Sequence, residues 1–226
     1  MTSPCKSAER PPRRHDLVFV SPAGWRAMLD ARGDLATDSL VARWPQMRWP
    51  TIRRRALPYE ATGLALGLPL PPSAGKKRIS FLVDIDHVAS VIRPPSLQQA
   101  RAYAPHNWWP ALDRLDALAL RHAVDVRVFG SLAWQSLTGL DYVTDHSDLD
   151  VLFEFRRETD VDRFVAGVAA IETGAPMRLD GELMGADGAA VNWREFHGGA
   201  SELLVKSIER VVLLGRHQFI LGAMGS

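Results

Sequence analysis

Val128-Phe129-Gly130-Ser131-Leu132-Ala133-Trp134, followed after a gap by Ser147-Asp148-Leu149-Asp150-Val151-Leu152-Phe153, is the stretch on which the fold is decided. The apolar run Val124 to Phe129 predicts a strand, Gly130-Ser131 a turn, and Leu132 to Leu137 a helix. Leu149 to Phe155 predicts a second strand. Side chains alternate along a strand, so Asp148 and Asp150 point to one face while Leu149 and Val151 enter the core. Two carboxylates so close repel each other unless a cation lies between them. Oxygen ligands of this kind suit Mg²⁺. Gly130 permits close backbone approach, and Ser131 at a helix start offers a hydroxyl and nearby N–H groups to phosphate oxygens. A phosphate cradle beside paired acids points to metal-assisted phosphoryl or nucleotidyl transfer. The competing reading is an exposed strand carrying two solubilising aspartates.

Downstream, Val161 to Ile171 predicts a helix, and Met177 to Met184 and Ala189 to Phe196 predict strands joined at Asp187-Gly188, a hairpin turn signal. Asp180 on the first of these strands is the expected third carboxylate and third metal ligand, with Glu182 the alternative on the same face. The run Glu202 to Leu214 predicts a final helix carrying Lys206.

Upstream, Leu112, Leu115, Leu118 and Ala119 recur at helical spacing and predict a helix over 111–122. Pro94-Pro95, Pro105 and Pro110 mark 96–110 as a connector. Before it, 15–95 is expected to form a smaller N-terminal domain mixing helix and strand, after a flexible basic tail over 1–14. In that domain Leu17 to Val20 reads as a strand. Ser21-Pro22 reads as a helix start with Trp25, Met28 and Leu29 facing inward. Trp44 and Trp49 among five arginines (Arg43, Arg48, Arg53, Arg54, Arg55) form either an anion-binding surface or a solvated face with packed tryptophans beneath. The prolines and glycines of 63–78 predict a long loop or hairpin tip before a strand over Ile79 to Ile85. Gly75-Lys76-Lys77-Arg78 is not a P-loop, since the glycine spacing is wrong and no Ser or Thr follows the lysine, yet it can meet phosphates. The fold class is therefore α+β, with a C-terminal domain over 111–226 built on a mixed sheet flanked by helices.

Composition narrows the function. The net charge is +1, from 27 basic and 26 acidic residues, which does not indicate a nucleic-acid partner. Cys5 is the single cysteine, and the seven histidines show no metal-ligand spacing such as HExxH. No apolar run is long enough to span a bilayer, and the polar, arginine-rich start lacks the apolar segment of a secretory signal. A cytoplasmic protein is expected.

Through Gly130-Ser131 and Asp148-x-Asp150 the C-terminal half resembles the nucleotidyltransferase superfamily of the DNA polymerase β type. The gap between Ser131 and Asp148 is longer than in the minimal antibiotic-modifying and toxin–antitoxin members. Its wording, GSLAWQSLTGLDYVTDHSDLDVL, is similar instead to the malonate decarboxylase holo-acyl-carrier-protein synthases, or phosphoribosyl-dephospho-CoA transferases. Arg14-His15-Asp16-Leu17-Val18, Gly67-Leu68-Pro69-Leu70-Pro71-Pro72-Ser73 and Leu179-Asp180-Gly181-Glu182-Leu183 carry the same resemblance. It implies transfer of a phosphoribosyl-dephospho-CoA group from 2′-(5″-triphosphoribosyl)-3′-dephospho-CoA to a serine of an apo acyl carrier subunit, with release of pyrophosphate. Mg²⁺ is expected on Asp148, Asp150 and Asp180, and the phosphates on Gly130 and Ser131. Lys76, Lys77, Arg78 and Lys206 are expected to contact phosphate or carrier protein. Trp134 either stacks on adenine or belongs to the core, and His15-Asp16 either orders a loop or touches ligand. The alternatives in function are an adenylyltransferase for a small hydroxylated molecule and a non-catalytic nucleotide-binding module.

Overall fold

The computed structural model describes residues 12–60, 62–156 and 158–223. Cys5 and most of the expected basic tail, residues 1–11, lie outside the described residues. The chain divides between Arg93 and Pro94 into two units. Both combine helix and strand, so the protein is α+β, with one antiparallel and one mixed sheet. Among the described residues no helix is long and apolar enough to cross a membrane.

The first unit is a five-stranded sheet made of β1 (Leu17–Val20), β2 (Thr51–Arg53), β3 (Leu64–Pro69), β4 (Arg78–Val83) and β5 (Val88–Ile92). Its order is β4-β3-β2-β1-β5, with every pairing antiparallel. Three helices connect β1 to β2: α1 (Pro22–Ala31), α2 (Gly33–Ala36) and α3 (Ser39–Arg43). The expected start of α1 is seen directly, as Ser21 Oγ accepts the Gly24 N–H at 3.2 Å and Pro22 opens the first turn. Trp25 and Met28 are buried, with Trp25 5.8 Å from the Phe81 ring, and Leu29 is half-buried. The loop expected over 63–78 is shorter than its prolines suggested. Leu64, Leu66 and Leu68 are buried in β3, and the hairpin tip is confined to 70–77. Trp44 and Trp49 are core residues packed edge to face at 4.9 Å, with Trp44 Nε1 donating to the Pro50 carbonyl. Arg53 and Arg54 bond backbone carbonyls of Ala65 and Leu66, and Arg54 forks onto Glu60. This reduces the arginine cluster, in good part, to structure. Asp16 is buried, its carboxylate accepting the Arg13 N–H at 2.7 Å, so it orders the turn into β1.

The second unit holds a six-stranded sheet of order β11-β10-β9-β8-β7-β6. Its elements are α4 (Leu97–Arg101), α5 (Trp109–Arg121), β6 (Asp125–Val128), α6 (Gly130–Thr138), β7 (Leu149–Glu154) and α7 (Val161–Glu172). They continue with β8 (Leu179–Met184), β9 (Ala190–Asn192), α8 (Trp193–His197), β10 (Glu202–Lys206), β11 (Val211–Gly215) and α9 (Arg216–Ala223). Among the described residues only β7 and β8 run parallel, with α7 as the crossover that a parallel pair requires. Leu149, Val151 and Phe153 of β7 join Leu179 and Leu183 of β8 and the apolar sides of α5 and α7 in one core. Leu152, Met184 and Ala190 form a small separate cluster, as the alternation of a strand demands. Residues 96–110, expected as a connector, are built into this core. Ser96 and Gln99 form a capping box on α4, and Leu97, Ala100, Ala104 and Trp108 are buried.

Two expected elements are corrected. Ala189 to Phe196 is not one strand: β9 ends at Asn192, whose Oδ1 accepts the Arg194 N–H at 2.9 Å and caps α8. Glu202 to Leu214 is not a helix but the β10–β11 hairpin. Leu203 and Val205 are buried in alternation, and Ser207 Oγ accepts the Glu209 and Arg210 N–H groups in the turn. Lys206 therefore ends a strand. The Asp187-Gly188 turn is as expected, with Asp187 Oδ1 accepting the Ala189 N–H and Gly188 at φ 83°.

Candidate functional site

The site grows from the junction of β6, α6 and β7. Gly130 sits at φ 63°, a backbone conformation that favours glycine. A Cβ there would overlap Asp150 Oδ2 and lie 2.6 Å from Asp150 Cγ. The Asp150 carboxylate is thus packed against the bare Cα of Gly130. Phe129 N–H bonds the Asp150 carbonyl at 3.0 Å, which ties the start of α6 to β7. The first N–H groups of α6 have no partners within the helix, and the helix dipole favours anions there. Ser131 lies in that first turn, half-buried.

The long gap between Ser131 and Asp148 is ordered. Gln135 anchors it, its Oε1 accepting the Tyr142 and Val143 N–H groups at 3.0 and 2.9 Å while Nε2 donates to the Tyr103 carbonyl. Thr144 N–H donates to Ser147 Oγ at 2.9 Å, closing a turn directly before Asp148. Trp134 is buried and lies 6.4 Å from the Tyr142 ring, so it is a core residue. Burial also raises the Tyr142 phenol above its ordinary value and keeps it neutral.

Strand register settles which acid stands beside Asp150. On the parallel pair, Asp150 is opposite Asp180, and Leu152 is opposite Glu182. Neighbouring strands lie about 4.8 Å apart, so Asp180 is the lateral neighbour and Glu182 is one step further along the face. Asp148, at the entry to β7, and Asp150 and Asp180 are all half-buried. Asp180 Oδ1 accepts Asn192 Nδ2 at 3.1 Å and lies 3.8 Å from Arg194 Nη1. Arg194 is also paired with Glu172.

Among the described residues no three His, Cys, Asp or Glu side chains converge as a metal cluster. The donors present still suit Mg²⁺, which is commonly held by one or two carboxylates and completes its shell with water and substrate phosphates. Asp148 and Asp150 supply that pair, and the missing Cβ at Gly130 leaves Asp150 its place. Lys206 shares this sheet face through the row Glu154, Met184, Ala190 and Lys206. It is three strand spacings across and four residues along from Asp150, or about 20 Å by strand geometry. Lys76, Lys77 and Arg78 are exposed at the β3–β4 hairpin of the first unit. The structure therefore brings together Gly130, Ser131, Asp148, Asp150 and Asp180 within the second unit, and leaves Lys206 apart from that cluster. Asn192, Arg194 and Glu172 were not anticipated. Asn192 followed three residues later by Glu195 is a helix-start signal that places Arg194 in a first turn.

Paired acids beside an anion-attracting helix start, on a sheet that fixes both, are the equipment of a transferase that moves phosphate-linked groups. Family models match both units. One described as phosphoribosyl-dephospho-CoA transferase MdcG C-terminal domain covers residues 96–217, and the corresponding N-terminal domain covers 13–94. A phosphoribosyl-dephospho-CoA transferase of Bradyrhizobium diazoefficiens is 86% identical over 226 residues, the whole of both chains. Proteins of the same name from Xanthomonas axonopodis pv. citri and Xanthomonas euvesicatoria pv. vesicatoria are 38% and 36% identical over 205 residues, 90% of this chain and 94% of theirs. No solved structure matches the chain. The chain belongs to the phosphoribosyl-dephospho-CoA transferase family.

Proposed function

We propose that the protein transfers phosphoribosyl-dephospho-CoA from 2′-(5″-triphosphoribosyl)-3′-dephospho-CoA to a serine of the apo acyl carrier subunit of malonate decarboxylase. Family membership supports the transferred group. The observation that carries the site is the seating of the Asp150 carboxylate against Gly130 at the start of α6. The second unit, on this reading, is a nucleotidyltransferase domain of the polymerase β type. Support comes from a Gly-Ser helix start followed by Asp-x-Asp on a mixed sheet.

In the mechanism, Ser131 and the first N–H groups of α6 hold phosphate oxygens of the donor. Asp148 and Asp150 would hold Mg²⁺, which when bound offsets the charge that develops on the departing pyrophosphate. The carrier serine oxygen forms a bond to the phosphorus nearest the ribose as the bond from that phosphorus to pyrophosphate breaks. Asp180, beside Asp150, faces the incoming hydroxyl and takes its proton. Positioning supplies most of the rate in such a reaction, since the protein has little covalent chemistry to perform. Lys206 is too distant to share a phosphate with Asp150, so it fits a contact to the carrier protein. Lys76, Lys77 and Arg78 fit the same role, as local positive charge on a nearly neutral chain that can steer an acidic carrier.

Replacing Asp148 or Asp150 by alanine tests the site. Each variant is expected to lose transfer while still unfolding cooperatively on heating, as thermal melts check. Wild-type transfer by both variants would overturn the assignment.

A further inference from the structure

Three consecutive residues at the β9–α8 junction converge on one step of β8. Asn192 Nδ2 donates to Asp180 Oδ1 at 3.1 Å. Trp193 Nε1, buried, donates to the Leu179 carbonyl at 2.9 Å. Arg194 Nη1 stands 3.8 Å from the same Asp180 oxygen, and Nη2 bonds Glu172. Glu172 Oε1 in turn accepts the Leu179 N–H at 2.9 Å. Leu179 is thus held by both its N–H and its carbonyl, and the next side chain, Asp180, accepts one hydrogen bond from Asn192 with the Arg194 charge close by. The guanidinium lies over the Trp193 ring, 4.7 Å from its centroid, so its own direction is fixed as well.

Asn192 also caps α8 and Arg194 also pairs with Glu172, yet neither role requires Asp180 as a partner. Asp180 is 38% exposed, and water alone would solvate its carboxylate. Both contacts fall on Oδ1, which keeps Oδ2 for a ligand. A guanidinium 3.8 Å from this carboxylate already offsets its charge, which disfavours a metal ion there and separates Asp180 from Asp148 and Asp150.

We propose that Asn192 and Arg194 are positioning residues that hold Asp180 for the acceptor hydroxyl rather than for a metal ion. The inference rests on the transfer reading above. Asp180 Oδ2 receives the serine proton as the serine oxygen bonds phosphorus and pyrophosphate leaves, and the proton then passes to solvent. Asn192 and Arg194 touch neither substrate. They determine which oxygen of Asp180 meets the serine.

The test compares Asn192→Ser, Arg194→Gln and Arg194→Lys with Asp150→Asn and Asp180→Asn, all in the full chain. Serine retains the α8 cap while removing the Nδ2 donor, so Asn192→Ser carries the test even where Arg194→Gln melts early. Asn192→Ser and Arg194→Gln are expected to lower kcat by about 10- to 100-fold, the scale on which a small misplacement of a reacting group is felt. The KM for the precursor and the half-saturating Mg²⁺ concentration stay unchanged, and Arg194→Lys recovers part of the loss. Wild-type kcat in both variants beside an inactive Asp180→Asn would overturn the proposal. So would an active Asp180→Asn beside an inactive Asp150→Asn, or a loss that added Mg²⁺ restores. If Asp150→Asn and Asp180→Asn both transfer normally, the site reading itself is wrong.

Discussion

A methyl group at position 130 would occupy the space of the Asp150 carboxylate. It would also force an L side chain into the left-handed region at φ 63°, at a cost of roughly 1–2 kcal/mol. Gly130→Ala is therefore expected to lower the melting temperature modestly and reduce transfer by about 100-fold or more, since small displacements of reacting groups are that costly. Enzyme assays beside thermal melts check this, and a fully active Gly130→Ala would remove Gly130 from the site. The residues of this junction were legible in the sequence, because Gly-Ser before a helix and Asp-x-Asp on a strand are local patterns. The choice between Asp180 and Glu182 was not. Both share a face of one strand, and only the register with β7 puts Asp180 opposite Asp150. Asn192 and Arg194 were hidden for a similar reason. Their partners, Asp180 and Glu172, are distant in sequence and meet them only through the β8–β9 pairing and the α7–α8 approach.

At the scale of elements, the β7–β8 pair depends on a missing side chain. A Cβ at Gly181 would lie 2.5 Å from Phe153 Cε2 and 2.9 Å from Trp193 Cδ1. Gly181→Ala is expected to destabilise the protein by about 1–3 kcal/mol, as overpacking of a close-packed core does, measured by denaturant unfolding. Unchanged stability would show that the Trp193 clamp has slack. In the first unit, Arg54, and then the Leu57 N–H, hold the Glu60 carboxyl down to about 2 from an ordinary 4.5. The sign follows from the lowered value. The stabilisation is fully present above the ordinary value and is lost as pH falls toward 2. Wild type is expected to melt above Glu60→Gln at neutral pH, with the gap closing between pH 4.5 and 2. A constant gap over that range would contradict the pairing. Element type was misread where local signals were ambiguous. Leu203-Leu204-Val205-Lys206 has no helix stop, and the turn Ser207-Ile208-Glu209-Arg210 lacks the glycine or asparagine that usually announces a hairpin.

At the scale of the whole molecule, each unit has its own sheet, and the two family models divide the chain at nearly the same place as the contacts do. The acids stand in the second unit and the exposed Lys76-Lys77-Arg78 run in the first. A division of labour follows on the proposed function, with donor chemistry in residues 94–226 and part of carrier recognition before them. The prolines around the boundary pointed to two units, but they also suggested a connector over 96–110. Prolines break regular structure whether or not the segment is buried, and Leu97 and Trp108 are. The measurement that tests the central claim most directly is the intact mass of the apo acyl carrier subunit. It is incubated with this protein, Mg²⁺ and triphosphoribosyl-dephospho-CoA, with an EDTA control. A gain equal to one phosphoribosyl-dephospho-CoA group, abolished by EDTA, is the predicted result. No gain from a competent carrier and precursor would contradict it and would turn attention to nucleotide transfer onto a small hydroxylated molecule.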